Sequence, residues 1–315
     1  MQPMLATRAA SGAELPRGPD WVYEVKWDGV RVLADTTGDR LRLQARSGRD
    51  VTVTYPELAG LESLQGALLD GEVVAMADGV PSFEALAERM NVRDGTRARR
   101  LAQQHPVTFI AFDVLTLYGV DISRRTLDER RATLDQLTLP ERVQISPLHE
   151  ELDDLWAVTL DHGLEGVIAK RRTAAYQPGR RSVDWVKATH RATRVAAVVG
   201  WREEGSEAGA GNGRLGAVLL GTTDAAGRWR YLGKAGSGLA GRRGADLARE
   251  LAAGTRASSP LDEPVPMPDA RGVTWCDPLV AVDVAYLHRM RSGRLRQPAV
   301  RGLRSDVGLD PWEVP

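Results

Sequence analysis

Apolar residues in this chain gather into short, strand-length runs punctuated by Gly, Pro, Asp and Ser, which restricts the fold to small sheets with a few interposed helices. Trp21 to Val25 and Val30 to Ala34 flank a turn containing Asp28-Gly29, and Leu41 to Ala45 continues with period-two alternation, the signature of an antiparallel meander. Ala67 to Ala75 and Val107 to Leu115 are longer and more apolar, as central strands are. Helices are predicted over Ser82 to Met90, with Ser82 as the cap, over Thr126 to Leu137 and over Leu152 to His162. No run approaches the ~18 apolar residues of a membrane span. Met1 to Pro16 lacks the basic-then-apolar order of a secretory signal.

The pattern changes near residue 190. Val195 to Trp201, Leu215 to Thr222, Trp229 to Gly233 and Val280 to Tyr286 read as strands, with one helix predicted over Leu239 to Leu251. Several strands with one interposed helix suggest a small closed barrel, with the OB-fold as the leading candidate. Glu203 to Gly213 is Gly-rich but lacks the strand-loop-helix setting and the Lys-Ser/Thr of a phosphate cradle, so it reads as a hairpin end.

Charge and cysteine content narrow the chemistry. The 42 basic and 42 acidic residues cancel, so only local patches can attract nucleic acid. A single cysteine, Cys276, excludes a disulfide framework and any multi-cysteine zinc site, and fits a reducing cytoplasm. Lysine is rare: Lys26, Lys170, Lys187 and Lys234 stand among arginines. Under such arginine pressure the surviving lysines are candidates for work a guanidinium cannot do, because an amine can lose its proton and attack an electrophile. Lys170 and Lys187 also sit on short apolar strands, where a lone lysine is unusual.

Taken in order, K-W-D-G-V-R (Lys26 to Arg31), R-S-G-R-D (Arg46 to Asp50), D-G-E-V-V (Asp70 to Val74), F-D-V-L (Phe112 to Leu115), E-G-V-I-A-K (Glu165 to Lys170) and W-V-K (Trp185 to Lys187) resemble the motif series of the covalent nucleotidyltransferases. That superfamily comprises ATP-dependent DNA ligases, RNA ligases and mRNA capping enzymes. R-M-N-V-R-D (Arg89 to Asp94) and R-G-L-R-S-D (Arg301 to Asp306) most resemble bacterial ATP-dependent DNA ligases of the end-joining type. The resemblance implies an α+β chain. A mixed or antiparallel-sheet, ATP-grasp-like nucleotidyltransferase (adenylation) domain would occupy residues 1–190, and an OB-fold barrel residues 194–315, with a hinge in the 190–194 connector. It further implies a ligase reduced to these two domains, without DNA-encircling, polymerase or phosphoesterase modules.

By the same resemblance, Lys26 is the nucleophile that attacks the α-phosphorus of ATP to give lysyl-AMP. The AMP then passes to a DNA 5′-phosphate, and the neighbouring 3′-hydroxyl seals the nick. A free lysine titrates near pKa 10.4, so such a site must favour the neutral amine, which cations nearby would do. Glu24 resembles the adenine-contacting residue, Phe112 the aromatic that stacks on the base, and Glu72 the ribose-contacting carboxylate. Phe112 is equally suited to a plain core position. Arg31 and Arg46 match arginines that hold ribose, phosphate or the nick's 5′-phosphate, and Arg181 matches a phosphate-contacting arginine six positions before Lys187. Lys170 and Lys187 would stabilise phosphate charge, while Glu165 and Asp28 would hold Mg²⁺ or Mn²⁺.

The basic run Arg93 to Arg100, with Arg301 and Arg304, supplies further candidates for the DNA backbone. Lys234, in G-K-A-G-S-G, resembles a barrel-loop lysine that would touch phosphate. Two positions depart from the family: Thr189 and Val307 stand where basic residues are usual. The loss at Val307 bears on pyrophosphate orientation, with Arg301 or Arg304 as substitutes, and Val307→Lys is expected to raise the adenylylation rate.

The implied partners are nicked or broken duplex DNA, an end-binding protein and separate polymerase or end-processing proteins. The chain is expected to act as a monomer in the bacterial cytoplasm at the nucleoid, without membrane association. An RNA ligase or capping-type enzyme, and a non-catalytic nucleic-acid-binding relative, are the competing readings.

Overall fold

The computed structural model describes residues 1–77, 79–205, 213–304 and 308–312. Val307, with Ser305 and Asp306, lies outside the described residues, as does the centre of the Gly-rich stretch. The chain divides into two compact units, Met1–His190 and Arg191–Pro315.

The first unit runs β1 (Leu5–Arg8), β2 (Trp21–Val25), β3 (Val30–Asp35), β4 (Arg42–Ala45), β5 (Leu68–Ala77), β6 (Val80–Pro81), α1 (Phe83–Ala87), α2 (Gly95–Gln104), β7 (Val107–Leu117), β8 (Val120–Asp121), α3 (Leu127–Asp135), β9 (Val143–Ile145), α4 (Leu152–Asp161), β10 (Gly166–Arg171) and β11 (Arg181–Thr189). Two sheets result. One has the order β1-β11-β10-β2, and the other β4-β3-β5-β7-β8, with β6 on β5 and β9 on β7. Pairing is antiparallel except β1 with β11 and β7 with β9.

This arrangement overturns the predicted meander. β2 pairs with β10 in one sheet, whereas β3 pairs with β4 and β5 in the other, so only the β3–β4 hairpin of the expected three-stranded run forms. Lys26 to Gly29 is a crossover between sheets rather than a hairpin turn. Gly29 permits it, because a Cβ there would stand 2.3 Å from the Val73 carbonyl oxygen of β5.

β5 and β7 form the centre of the larger sheet, buried on both faces along most of their length. Their apolar residues, including Val73, Phe109 and Val114, pack with Leu58, Leu61, Leu86 and Leu134. The predicted helix over Ser82 to Met90 is shorter than expected. Ser82 caps it, accepting from the Ala85 amide at 3.2 Å, but regular helix stops at Ala87 and Arg89 turns into the core to meet Glu57 at 2.8 Å. α3 starts at a reciprocal box between Thr126 and Glu129.

The second unit runs β12 (Ala192–Glu203), β13 (Leu215–Thr223), β14 (Trp229–Ala235), α5 (Gly241–Ala252), β15 (Thr255–Arg256), α6 (Met267–Ala270), β16 (Thr274–Cys276), β17 (Ala281–Tyr286) and β18 (Ala299–Arg304). The 12-residue β12 pairs with β13 along one edge and with both β16 and β17 along the other. The antiparallel sheet thus curls around Val198, Val218, Leu220, Val282 and Val284, and Leu247 and Leu251 of α5 pack into the same core. This is the OB-fold barrel that the strand spacing predicted. No helix among the described residues is long and apolar enough to cross a membrane.

Candidate active site

Strand register explains how residues far apart in sequence share one cleft. Glu24 of β2 lies opposite Ile168 of β10, and Ile168 lies opposite Lys187 of β11. Side chains alternate along a strand, so Lys170 emerges on the same face as Ile168, and Arg181 and Trp185 on the same face as Lys187. One face of this sheet therefore presents Glu24, Lys170, Lys187, Trp185 and Arg181 together. The larger sheet contributes Arg31 from β3, opposite Glu72 of β5, and Phe112 from β7. Phe112 is the extra residue of a bulge, because Asp70 pairs with Asp113 but Gly71 pairs with Ala111. Bulges re-aim side chains next to binding sites, and this one turns the ring toward the cleft.

These residues line one open-mouthed cleft with Lys26, Trp27 and Arg46. The cleft holds about 170 Å³ of cavity beneath its open mouth. Every residue that the sequence assigned to nucleotide contact is on this wall. Asp28 and Glu165 flank it, and Arg93, Arg301 and Arg304 are elsewhere.

Lys26 begins the crossover, with its amide donating to the Gly166 carbonyl at 2.8 Å and its ammonium donating to Oε2 of Glu165. Gly166 has φ +150°, and a Cβ on it would stand 2.2 Å from the Ala188 carbonyl oxygen, so only glycine allows β10 to approach β11 this closely. Burial raises the Glu165 pKa, Lys26 draws it back down and Asp28 raises it further. Glu72 is pushed up to about 7 by burial, against the pull of Lys26 and Arg31. Burial also lowers the Lys187 pKa, with Lys26 acting in the same direction.

Lys170 is 1% exposed, donates to Glu24 at 2.7 Å, and lies 4.4 Å from the centroids of both Phe112 and Trp185. Burial lowers its pKa, while Glu24 opposes the shift. Phe112 lines the cleft and also packs in a small core with Trp185 and Tyr176.

Arg31 donates from Nε and Nη2 to the two oxygens of Asp70, each at 2.6 Å. Arg181 donates to the Ala6 carbonyl at 2.5 Å, which ties β11 to the parallel strand β1. Arg304 donates to both oxygens of Asp283 at 2.8 Å, and Lys234 pairs with Asp269 at 3.1 Å. Among the described residues no group of three or more His, Cys, Asp or Glu side chains could hold a metal. Glu165 and Asp28 nevertheless suit a hard cation. Asp28 raises the proton affinity of Glu165, which a cation would relieve, and Mg²⁺ commonly uses one or two carboxylates with substrate phosphates.

Several cleft-shaping residues escape a sequence reading. Asp70 and Tyr176 fix Arg31, Arg131 stands behind Glu24, and Leu5 and Ala6 line the cleft. Asp70 and Trp185 fall inside the D-G-E and W-V-K motifs, whereas nothing local marks the others.

Two fused folds, a two-sheet unit holding a lysine-floored cleft and an OB barrel, define the nucleotidyltransferase-plus-OB class. A family model described as "ATP dependent DNA ligase domain" matches residues 3–188, and one described as "ATP dependent DNA ligase C terminal region" matches residues 211–307. The chain belongs to the ATP-dependent DNA ligases. It is 39% identical over 316 residues to the "Multifunctional non-homologous end joining DNA repair protein LigD" of Mycobacterium tuberculosis, covering 97% of this chain and 39% of that protein. It is 33% identical over 249 residues to DNA ligase C of the same organism, covering 75% of this chain and 67% of that protein. Among solved structures, "mycobacterial DNA ligase D complexed with ATP and MES" aligns at TM-score 0.54 and 36% identity, over 97% of this chain and 95% of that one. A Lig E DNA ligase at 18% identity, TM-score 0.64, shares the fold over 96% of this chain and 99% of that one. The chain therefore spans 39% of the length of its LigD relative.

Proposed function

We propose that the cleft of Met1–His190, acting as the adenylation domain, binds ATP and that Lys26 is the residue adenylylated there. The observation that carries this is the Lys26–Glu165 pair on a wall that also bears Lys170, Lys187 and Arg181. Lys26 gives its proton to Glu165, whose burial raises its affinity for that proton. The neutral amine attacks the α-phosphorus, a P–N bond forms, the bond to the bridging oxygen breaks, and pyrophosphate leaves with the proton that the amine sheds on bonding. Lys170, Lys187, Arg31, Arg46 and Arg181 supply donors for phosphate and ribose, Glu72 faces the ribose, Glu24 the adenine amino group and Phe112 the base. Asp28, joined by Glu165 once that carboxyl has released its proton, would hold Mg²⁺ or Mn²⁺, which when bound neutralises phosphate charge. A DNA 5′-phosphate then takes the AMP from Lys26, and the adjacent 3′-hydroxyl attacks that phosphate, closing the phosphodiester and releasing AMP.

Nicked or broken duplex DNA is the proposed substrate, held as its strands leave the cleft. Arg46 is on the cleft wall, and Arg49, three residues on, donates to the Met90 carbonyl at 2.9 Å and to Asn91 at 3.3 Å. Next come exposed Arg93 and, on α2, exposed Arg97, Arg99 and Arg100. These form a basic track suited to a phosphate backbone. Arg301 and Arg304 are exposed on the OB barrel and are proposed for the same ligand. Similarity to LigD supports work in bacterial end joining at the nucleoid, with an end-binding protein and separate end-processing proteins as partners.

Intact mass after incubation with ATP and Mg²⁺ or Mn²⁺ tests this reading. An AMP-sized adduct is expected in the wild type and absent in Lys26→Ala. No adduct with any nucleotide or metal overturns the proposal.

A further inference from the structure

α3 carries two consecutive arginines, and both are buried. Each guanidinium nitrogen of Arg130 has a partner: it clamps Asp113 at 2.7 and 2.8 Å and donates to the Arg125 and Ala174 carbonyls at 2.6 and 3.0 Å. Arg131 reaches the other way. It donates to the Phe112 carbonyl at 3.1 Å and the Ser146 carbonyl at 2.5 Å, which leaves Nη1 3.5 Å from Oε1 of Glu24. The same Glu24 oxygen accepts from Lys170 at 2.7 Å. One buried carboxylate therefore faces two cations of different kinds. Lys170 is a flexible ammonium held between two rings, whereas Arg131 is tethered to two backbone carbonyls.

We infer that Arg131 is a positioning residue for base selection: it keeps Glu24 paired and aimed into the cleft when Lys170 turns from Glu24 to phosphate. The inference rests on the reading of this cleft as an ATP site. In that reading one ammonium has two claimants, Glu24 and the triphosphate. If Lys170 were its sole partner, phosphate binding would strand a buried carboxylate, which would turn away. A Glu24 turned out of the cleft no longer distinguishes an amino group from a carbonyl on the purine ring. A Glu24 carboxylate aimed into the cleft accepts from the adenine 6-amino group and repels the guanine 6-oxygen. Arg131 thereby uncouples base recognition from phosphate recognition, and its hold on the Phe112 carbonyl fixes the ring beside the base as well.

The test is single-turnover self-adenylylation with ATP and with GTP, comparing wild type, Arg131→Gln, Arg131→Lys, Glu24→Gln and the Arg131→Gln/Glu24→Gln double variant. Arg131→Gln is expected to raise the KM for ATP and shrink the ATP-over-GTP preference, each about tenfold, with the saturated rate within about threefold. Arg131→Lys restores part of the preference. In the Glu24→Gln background, removing Arg131 changes the preference little, because the two act as one unit. Equal losses with ATP and GTP, or an unchanged preference in a variant that melts cooperatively, overturn the inference. If Arg131→Gln does not fold, Arg131→Lys in the two Glu24 backgrounds gives the same comparison, and equal preference shifts in both backgrounds overturn it. A wild type that takes neither nucleotide instead defeats the underlying reading of the cleft.

Discussion

Lys26 donates its ammonium proton to Glu165 across a separation of 139 residues, and the backbone repeats the link through the Lys26 amide and the Gly166 carbonyl at 2.8 Å. The crossover from β2 and the start of β10 are thus pinned together at the point where the proposed reaction needs an amine and a proton acceptor. Glu165→Gln keeps the shape and removes the acceptor. Its expected effect is a fall of about 10²-fold in the rate of lysyl-AMP formation, measured by single-turnover mass spectrometry. A rate within twofold of wild type would assign the proton to another group.

Glu72 gives the ligand-free fold a pH signature. Its carboxyl titrates near 4.5 when unperturbed and near 7 in the fold, with burial as the main cause. Between those values the folded state holds a proton that the unfolded chain has lost. Stability from this group is complete at the acid end of the window and disappears as pH rises through about 7. Glu72→Gln cannot ionise, so its Tm relative to wild type is expected to improve steadily from pH 5 to pH 8. The shift places an upper bound of about 3 kcal/mol on the difference. A constant Tm gap across that range would show that Glu72 titrates normally.

The OB barrel was legible in the sequence because Val280, Val282 and Val284 alternate cleanly and β12 to β14 are set off by turn residues. The placement of Lys170 and Lys187 in the cleft was legible because a rare amine in an apolar strand has few structural excuses, and that of Lys26 through its K-W-D-G motif. The split between β2 and β3 was not. A tight hairpin and a crossover can share the same local Asp-Gly turn, and the choice is made by partners such as Val167, which pairs with Val25 from far along the chain. Arg131 was hidden for a related reason. Arg-Arg on a helix reads like a solvated face, and only the placement of α3 over β7 buries it. Tyr176 carries no local mark, since its role depends on Asp70 and Met4.

Those three residues form a buried chain beneath Arg31. Asp70 is 0% exposed and accepts from Tyr176 at 2.5 Å as well as from Arg31, and the Tyr176 oxygen accepts from the Met4 amide at 2.9 Å. Removing the carboxylate leaves a half-buried guanidinium without its fork. Asp70→Asn is expected to cost about 3–5 kcal/mol in urea unfolding, and Tyr176→Phe about 1 kcal/mol. The double variant should fall short of their sum, since both act on one network. Full additivity would show that Tyr176 stabilises the fold independently of Asp70.

α2 is where the proposed DNA-gripping surface and an ordinary solvated helix face lead to different outcomes. The chain as a whole has formal net charge zero, so attraction to DNA must come from places where arginines are concentrated. On α2, Asp94 caps the helix, accepting from the Arg97 amide at 2.7 Å, and Ala98 and Leu101 face inward. Arg97, Arg99 and Arg100 are left exposed on the solvent side. Each phosphate contact contributes about 0.9 to the log–log dependence of binding on salt. Changing Arg97, Arg99 and Arg100 together to Gln is therefore expected to weaken binding to a nicked duplex. The salt slope should fall by about two to three, whatever the DNA sequence, as read by fluorescence anisotropy across a salt series. An unchanged slope would mean that α2 touches no phosphate and that the DNA path leaves the cleft in another direction.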